Sequence, residues 1–320
     1  MLHRLLFLVA SLVISSSVGA QNYPERPIRM IVPWPPGQAT DIAGRLLAQG
    51  LQAALGQPVV VDNRAGAGGM IGTEAAAKAA PDGYTLLAGS SGPVTVNPLL
   101  QKVAYDADRQ LLPIHGCCIS PYLLVVNPSF PASSAKELIA LVKAAPGKYS
   151  FSSSGTGATS HLITEWFNAL AQLQAVHVPY KGSAPSLTDI VGNQIGYSFE
   201  TLAATGPLVR SGKLKALGVS LERGTSLAPD IPSIAQAVGM PGFNVGAWLG
   251  LMAPAGLPRE IAARLSSETE KMLASAEYRD KFAAAGLQVD SRRSEEFAIY
   301  LKGEKERFAS IIKSGNIKVE

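Results

Sequence analysis

Apolar and polar positions along the chain follow two rhythms. Short continuous apolar runs of strand length recur at Pro27–Val32, Val59–Val61, Tyr84–Ala88 and Tyr122–Val126. Between them, apolar residues return every three or four positions, as at Ile42, Leu46, Leu51 and Leu55. Continuous apolar strands alternating with amphipathic helices predict parallel sheets covered on both faces. The punctuation agrees. Thr40 or Asp41 offers a helix cap, Gly56 a stop, and Pro81-Asp82-Gly83 a turn that ends an Ala-rich helix over 72–80.

A second series follows the same rule. Ser134-Ala135-Lys136-Glu137 is a capping box, and Pro146-Gly147 closes its helix. A strand over Tyr149–Ser153 leads through a Ser/Gly loop into a helix over about Thr159–Ala171. Strands at Val176–Val178, Ile195–Phe199 and Leu214–Ser220, with a helix over 184–191, are expected to complete another parallel set. Trp248–Ala253 reads as a strand ending at Pro254, too short to cross a membrane. Helices close the chain, opened by Pro258, Ser275 and Ser294. Two βα series joined by crossings near Gly116–Leu123 and Val245–Gly250 predict two α/β lobes with a ligand cleft between them. Residues 21–120 and 247–320 are assigned to the first lobe and 121–246 to the second.

Composition adjusts this picture. The 320 residues are 47% hydrophobic and 16% charged, with 31 Gly and 22 Pro. That mixture excludes a disordered tail, a coiled coil and a collagen-like rod. Part of the apolar excess is N-terminal: Met1-Leu2-His3-Arg4, an apolar run over Leu5–Ile14, then Val18-Gly19-Ala20. This is the layout of a cleaved secretory signal peptide over residues 1–20. Lys and Arg number 28 against 24 Asp and Glu, a net charge of +4. The basic residues interleave with acidic ones, so no nucleic-acid footprint is visible. Cys117 and Cys118 are adjacent. A bridge between them is strained, because neighbouring Cα atoms lie about 3.8 Å apart and disulfides prefer about 5.5 Å. Two small buried side chains are the plainer expectation.

Candidate chemistry lies where strands meet helices. Val32-Pro33-Trp34-Pro35-Pro36-Gly37-Gln38-Ala39-Thr40-Asp41 is a stiff turn leading into a helix, whose unpaired N–H groups attract carboxylates or phosphates. Trp34 can wall a cleft, while Gln38 and Thr40 can hydrogen-bond a ligand. Asp41 disfavours an anion unless it caps the helix or meets an ammonium. Ser152-Ser153-Ser154-Gly155-Thr156-Gly157-Ala158-Thr159-Ser160-His161 repeats the layout with small hydroxyl residues. Ser90, Ser91, Tyr180, Ser183, Glu200 and Thr201 follow other strands and are further cleft candidates. His161 either touches ligand or packs between lobes, and His177 reads as structural. Gly66-Ala67-Gly68-Gly69-Met70-Ile71-Gly72 departs from a dinucleotide loop by one position and lacks the later acidic residue. No phosphate-binding loop, nucleophile elbow or metal-ligand set is present in the sequence. No cofactor is expected.

These segments together resemble the solute receptors of tripartite tricarboxylate transporters, the Bug family. The resemblance rests on Tyr23-Pro24-Glu25-Arg26-Pro27-Ile28, Val32–Gly37, Val61-Asp62-Asn63-Arg64-Ala65-Gly66-Ala67-Gly68-Gly69 and Pro81-Asp82-Gly83-Tyr84-Thr85-Leu86. It continues through Ser154-Gly155-Thr156-Gly157, His177-Val178-Pro179-Tyr180-Lys181-Gly182 and Trp248–Gly256. It implies a type II periplasmic binding protein fold with a hinged cleft, a small carboxylate ligand and integral-membrane transporter partners. In the family, one ligand carboxylate is held by two strand–loop–helix motifs, here Pro33–Asp41 and Ser153–His161. These motifs and the other strand ends together give the expected ligand set: Trp34, Gln38, Ala39, Thr40, Asp41, Ser90, Ser91, Ser153, Ser154, Thr156, Gly157, Thr159, His161, Tyr180, Glu200 and Thr201. Three positions depart from the pattern: Trp34 stands for a usual Phe, Gln38 for Gly, and Glu200 for a shorter Asp or Asn. Glu200 suggests an amine, amide or neutral far end on the ligand. A monomer without enzymatic activity is expected. The competing readings are a sensory module feeding a membrane kinase and a periplasmic hydrolase using His161 and a cleft serine.

Overall fold

The computed structural model describes residues 23–314 and Ile317. The segment read as a signal peptide, residues 1–20, lies outside the described residues. The strands are β1 (Ile28–Val32), β2 (Val59–Asn63), β3 (Thr85–Ser90), β4 (Leu111–Val126), β5 (Ser150–Ser153), β6 (Val176–Pro179), β7 (Tyr197–Thr201), β8 (Lys215–Val219), β9 (Gly246–Pro254) and β10 (Gln288–Arg293). Helices of at least eight residues are α1 (Ala39–Leu55), α2 (Met70–Ala77), α3 (Ala135–Ala144), α4 (Thr159–Ala171), α5 (Ser183–Val191), α6 (Leu202–Arg210), α7 (Arg259–Ala274), α8 (Ala276–Ala284) and α9 (Ser294–Ser314). None is long and apolar enough to cross a membrane among the described residues.

β1 pairs in parallel with β2 and β3, as continuous apolar runs linked by helices require. β5 likewise pairs in parallel with β6 and β7. The crossings are longer than the sequence suggested. Over Leu111–Pro121, β4 runs antiparallel to β9, and over Tyr122–Val126 it pairs with β7 and β8. One strand thus leaves the first sheet and enters the second at Pro121–Tyr122. Two strand expectations are corrected. The segment predicted at Leu214–Ser220 does form a strand, β8, but it pairs antiparallel with β4 instead of joining a parallel set. Periodicity reports which faces are buried and says nothing of direction. β10 was not foreseen, because Gln288–Arg293 is polar and half-exposed; its pairing with β4 makes it a strand.

Each sheet has its own core. Ile28, Met30, Leu86 and Leu251 of the first pack with Leu47 and Leu51 of α1. In the second, Phe151, Tyr197 and Phe199 gather Phe167 of α4 and Phe243. The helix α9 reaches both, with Phe297 against Trp248 and Phe308 in the second core. Cys117 and Cys118 are free and fully buried on β4, as expected of two small core side chains. Ser134 caps α3 by accepting from the Glu137 N–H, while Glu137 reaches back to the Ser133 N–H.

Candidate functional site

Strand-to-helix junctions from both sheets meet over the crossing strands. The pocket between them is nearly closed, a cavity of about 30 Å³. A small-molecule site needs roughly 300 Å³ or more, so ligand entry requires these walls to part. Trp34, Gln38, Ala39 and Thr40 reach it from the β1–α1 junction, and Ser90, Ser91 and Gly92 from the end of β3. The second sheet contributes Ser154, Thr159, Ser183, Glu200 and Thr201. Tyr122 of β4 and Ala247 of β9 form the floor.

Four helices begin at this pocket: α1, α4, α5 and α6. Their N-cap residues Gln38, Ala158, Gly182 and Thr201 make no side-chain capping bond. Uncapped first turns leave N–H donors and the positive ends of the helix dipoles available. No Lys, Arg or His lines the pocket, so its positive potential comes from backbone. Such a site can hold an anion through hydrogen bonds without a formal cation.

The lobes touch across this space. The hydroxyls of Ser91 and Thr159 are 3.0 Å apart. The Trp34 indole donates to Ser90 Oγ at 2.9 Å, fixing one wall. Gly157 permits the close approach: its φ is +76°, and an added Cβ would lie 2.1 Å from Asn97 Oδ1. Asn97 in turn donates to the Gly68 carbonyl at 2.9 Å. Gly157→Ala is therefore expected to destabilise the protein by about 1–3 kcal/mol and to weaken ligand binding by holding the lobes apart. Thermal unfolding and a binding titration check both effects, and unchanged values for both would refute the assignment.

Eleven of the sequence candidates line the pocket: Trp34, Gln38, Ala39, Thr40, Ser90, Ser91, Ser154, Thr159, Ser183, Glu200 and Thr201. Thr156 and Tyr180 instead line an adjoining outer cavity of about 400 Å³, which shares Trp34 and Ser154 with the inner one. The Tyr180 hydroxyl is tied to Asp189. Asp41, Ser153, Gly157 and His161 belong to the support of the site and not to its lining. Asp41 accepts from Gly37 N, Arg45 Nε and Asn63 Nδ2, which closes the loop ahead of α1. Burial alone would raise its pKa, but these bonds outweigh burial and hold the carboxyl below its ordinary value.

His161 lies behind the second loop. Its Nδ1 accepts from Gly157 N at 3.3 Å, and its ring stacks on His177 with centroids 3.9 Å apart. His177 Nε2 is 2.7 Å from Ser153 Oγ. Burial, and then the neighbouring His161, push the His177 pKa down to about 3, so it is neutral in ordinary buffers. The two rings and Ser153 form a polar brace under the loop. Neither His161 nor Ser153 faces the pocket as a hydrolytic pair requires.

Sequence reasoning missed Tyr122 and Ala247 as lining residues. Tyr122 carried the one usable signal, a polar-tipped aromatic ring where the chain crosses between lobes. Glu200 is 1% exposed and is the sole carboxyl in the lining. Ser183 donates to its Oε2 at 2.6 Å, while its Oε1 has no partner. Burial pushes its pKa up from 4.5 to about 7 despite the bonds from Ser183 and the Thr201 backbone. Gln38 Nε2 and Thr201 Oγ1 are also buried without partners.

Residues 43–317 match the tripartite tricarboxylate transporter family receptor. The chain belongs to this family. Protein BugT of Bordetella pertussis (strain Tohama I) is 38% identical over 315 residues, spanning 98% of this chain and 96% of BugT. The structure of the periplasmic binding protein BugD matches with a TM-score of 0.87 at 32% identity, over 93% of this chain and 100% of BugD. MatC from Rhodopseudomonas palustris, solved with bound malate, matches with a TM-score of 0.84 at 30% identity. That match covers 91% of this chain and 100% of MatC. This receptor therefore shares the two-lobed fold of periplasmic solute-binding proteins, and its family is one of receptors and not of enzymes.

Proposed function

We propose that this receptor captures a small carboxylate in the inner pocket and delivers it to an integral-membrane transporter without altering it chemically. The observation that carries this reading is the convergence of four uncapped helix N-termini on a pocket with no basic side chain. MatC, a relative of the same fold, holds malate. The residues proposed to contact ligand are the eleven candidates that line the pocket, with Tyr122 added. Thr156 and Tyr180 would meet only a ligand long enough to enter the outer cavity. The support residues Asp41, Ser153, Gly157 and His161 act through the loops they hold.

In this reading residues 1–20 are a signal peptide removed on export to the periplasm. The mature chain works as a monomer and has no nucleic-acid partner. Residues 21–120 with 247–320, and 121–246, move as two lobes about the crossing strands β4 and β9. Closure around ligand presents both lobes together to the permease. A thermal-shift screen of mono- and dicarboxylates, hydroxy acids and amino acids tests the reading. A ligand at 100 times its dissociation constant adds about 2.7 kcal/mol of stability, which is several degrees. Absence of any shift at millimolar concentrations of all four classes would refute it.

A further inference from the structure

Three buried polar atoms at the inner pocket lack partners. They are Oε1 of Glu200, Nε2 of Gln38 and Oγ1 of Thr201. Buried polar atoms are ordinarily satisfied, so orphans gathered at one cavity outline the ligand that completes them. Gln38 supplies a donor, Glu200 an acceptor and Thr201 either. Against the ionised carboxyl, the occupant must therefore bring a hydrogen-bond donor as well as an anionic group.

Charge narrows the choice. The groups acting on Glu200 are the Ser183 hydroxyl from α5, the Thr201 backbone N–H at the end of its own strand, and the Tyr122 phenol from β4. None is a cation, and no Lys, Arg or His lines the pocket. A dicarboxylate would place a further negative charge in a pocket that already contains this carboxyl. A hydroxyl or amide could satisfy Oε1 but would leave the ionised carboxylate without a counter-charge. A protonated amine does both, and the ligand's own carboxylate then takes the helix N-termini and Gln38.

Resting on the carboxylate reading above, we propose that the ligand is a zwitterionic amino acid whose ammonium group pairs with Glu200 Oε1. Glu200 is then the residue that separates amino acids from diacids of similar size. Binding an ammonium requires the ionised carboxylate. Because burial favours the protonated form below about pH 7, ligand binding at pH 6 must expel that proton to bulk water.

Isothermal titration calorimetry tests this in two buffers of different ionisation enthalpy, at pH 6 and pH 8.5. The probes are matched sets: L-alanine with lactate and propionate, γ-aminobutyrate with butyrate and succinate, L-aspartate with malate. The amine-bearing member is expected to bind about 30-fold tighter or more at pH 8.5. At pH 6 its binding should release close to one proton, and at pH 8.5 almost none. Glu200→Gln should abolish both the preference and the proton release. Preferential binding of the amine-free acids, or proton uptake on binding, would overturn the proposal while leaving the carboxylate reading intact. An unchanged amine preference in Glu200→Gln would also overturn it. Failure of every acid to bind would remove the carboxylate reading and this proposal together. The proton release of the unmodified protein needs no variant, so a folding defect in Glu200→Gln does not decide the matter.

Discussion

Replacing Glu200 by Gln is expected to stabilise the unliganded receptor by up to roughly 3 kcal/mol at pH 8. It should change little at pH 4. The Glu200 carboxyl is fully buried, and its pKa rises from 4.5 to about 7 because burial penalises the charge. Between those values the folded chain holds a proton that the unfolded chain has released. Stability from this group is therefore present below 4.5, falls as pH rises, and is lost above about 7. Glutamine keeps the shape and can still accept from Ser183, but it carries no charge to desolvate. Thermal or urea unfolding across pH 4–8.5 measures the effect. A constant difference between the two proteins at all pH values would show that Glu200 ionisation is not the cost. The direction is the reverse of most buried-residue changes, as expected where a binding group is kept at the expense of stability.

Asp41→Ala is expected to destabilise the receptor by about 2–4 kcal/mol and to weaken ligand binding as well. The Asp41 side chain is 4% exposed and joins Gly37 N, Arg45 and Asn63. Its removal leaves three donors without their acceptor. Arg45 is half-exposed and recovers water, so the loss stays below that of a fully buried ion pair. The affinity effect is indirect. Gln38, Ala39 and Thr40 reach the pocket from the loop that Asp41 closes. Asp41→Asn should retain part of the stability, since an amide oxygen still accepts one or two of these bonds. The depressed pKa adds a pH signature: the contribution is present above the ordinary carboxylate range and fades as pH falls through the lower folded value. Urea midpoints at pH 7 and pH 3, with a ligand titration at pH 7, check all three statements. An unchanged midpoint for Asp41→Ala at pH 7 would remove the bracing role.

Much of the site was legible because its signals are local. A Pro-rich or Ser/Gly-rich turn after an apolar strand and before an amphipathic helix marks a helix N-terminus wherever the chain places it. That is why the segments Trp34–Thr40 and Ser154–Thr159 stand out in sequence, and Trp34, Gln38, Ala39, Thr40, Ser154 and Thr159 from them line one pocket in the structure. Side-chain direction was not legible. Asp41 and His161 sit in the first turns of their helices like their neighbours, yet both turn away from the pocket. Arg45 and Asn63 draw Asp41 back, and the stack on His177 holds His161 behind the loop. Tyr122 became a floor residue through strand pairing, which joins positions far apart in the chain.

The alternation of strands and helices, the two series, and the helix starts where an anion can bind can all be read along the chain, because they follow from periodicity and backbone chemistry within short segments. Its motifs also pointed to the receptor family. Folding in three dimensions was needed to make β8 antiparallel, to create β10, and to let one strand serve both sheets. It alone placed Glu200 in a lining without basic side chains and left one of its oxygens unpartnered. Strand direction, burial and missing partners depend on what distant segments bring alongside, and no local pattern encodes them.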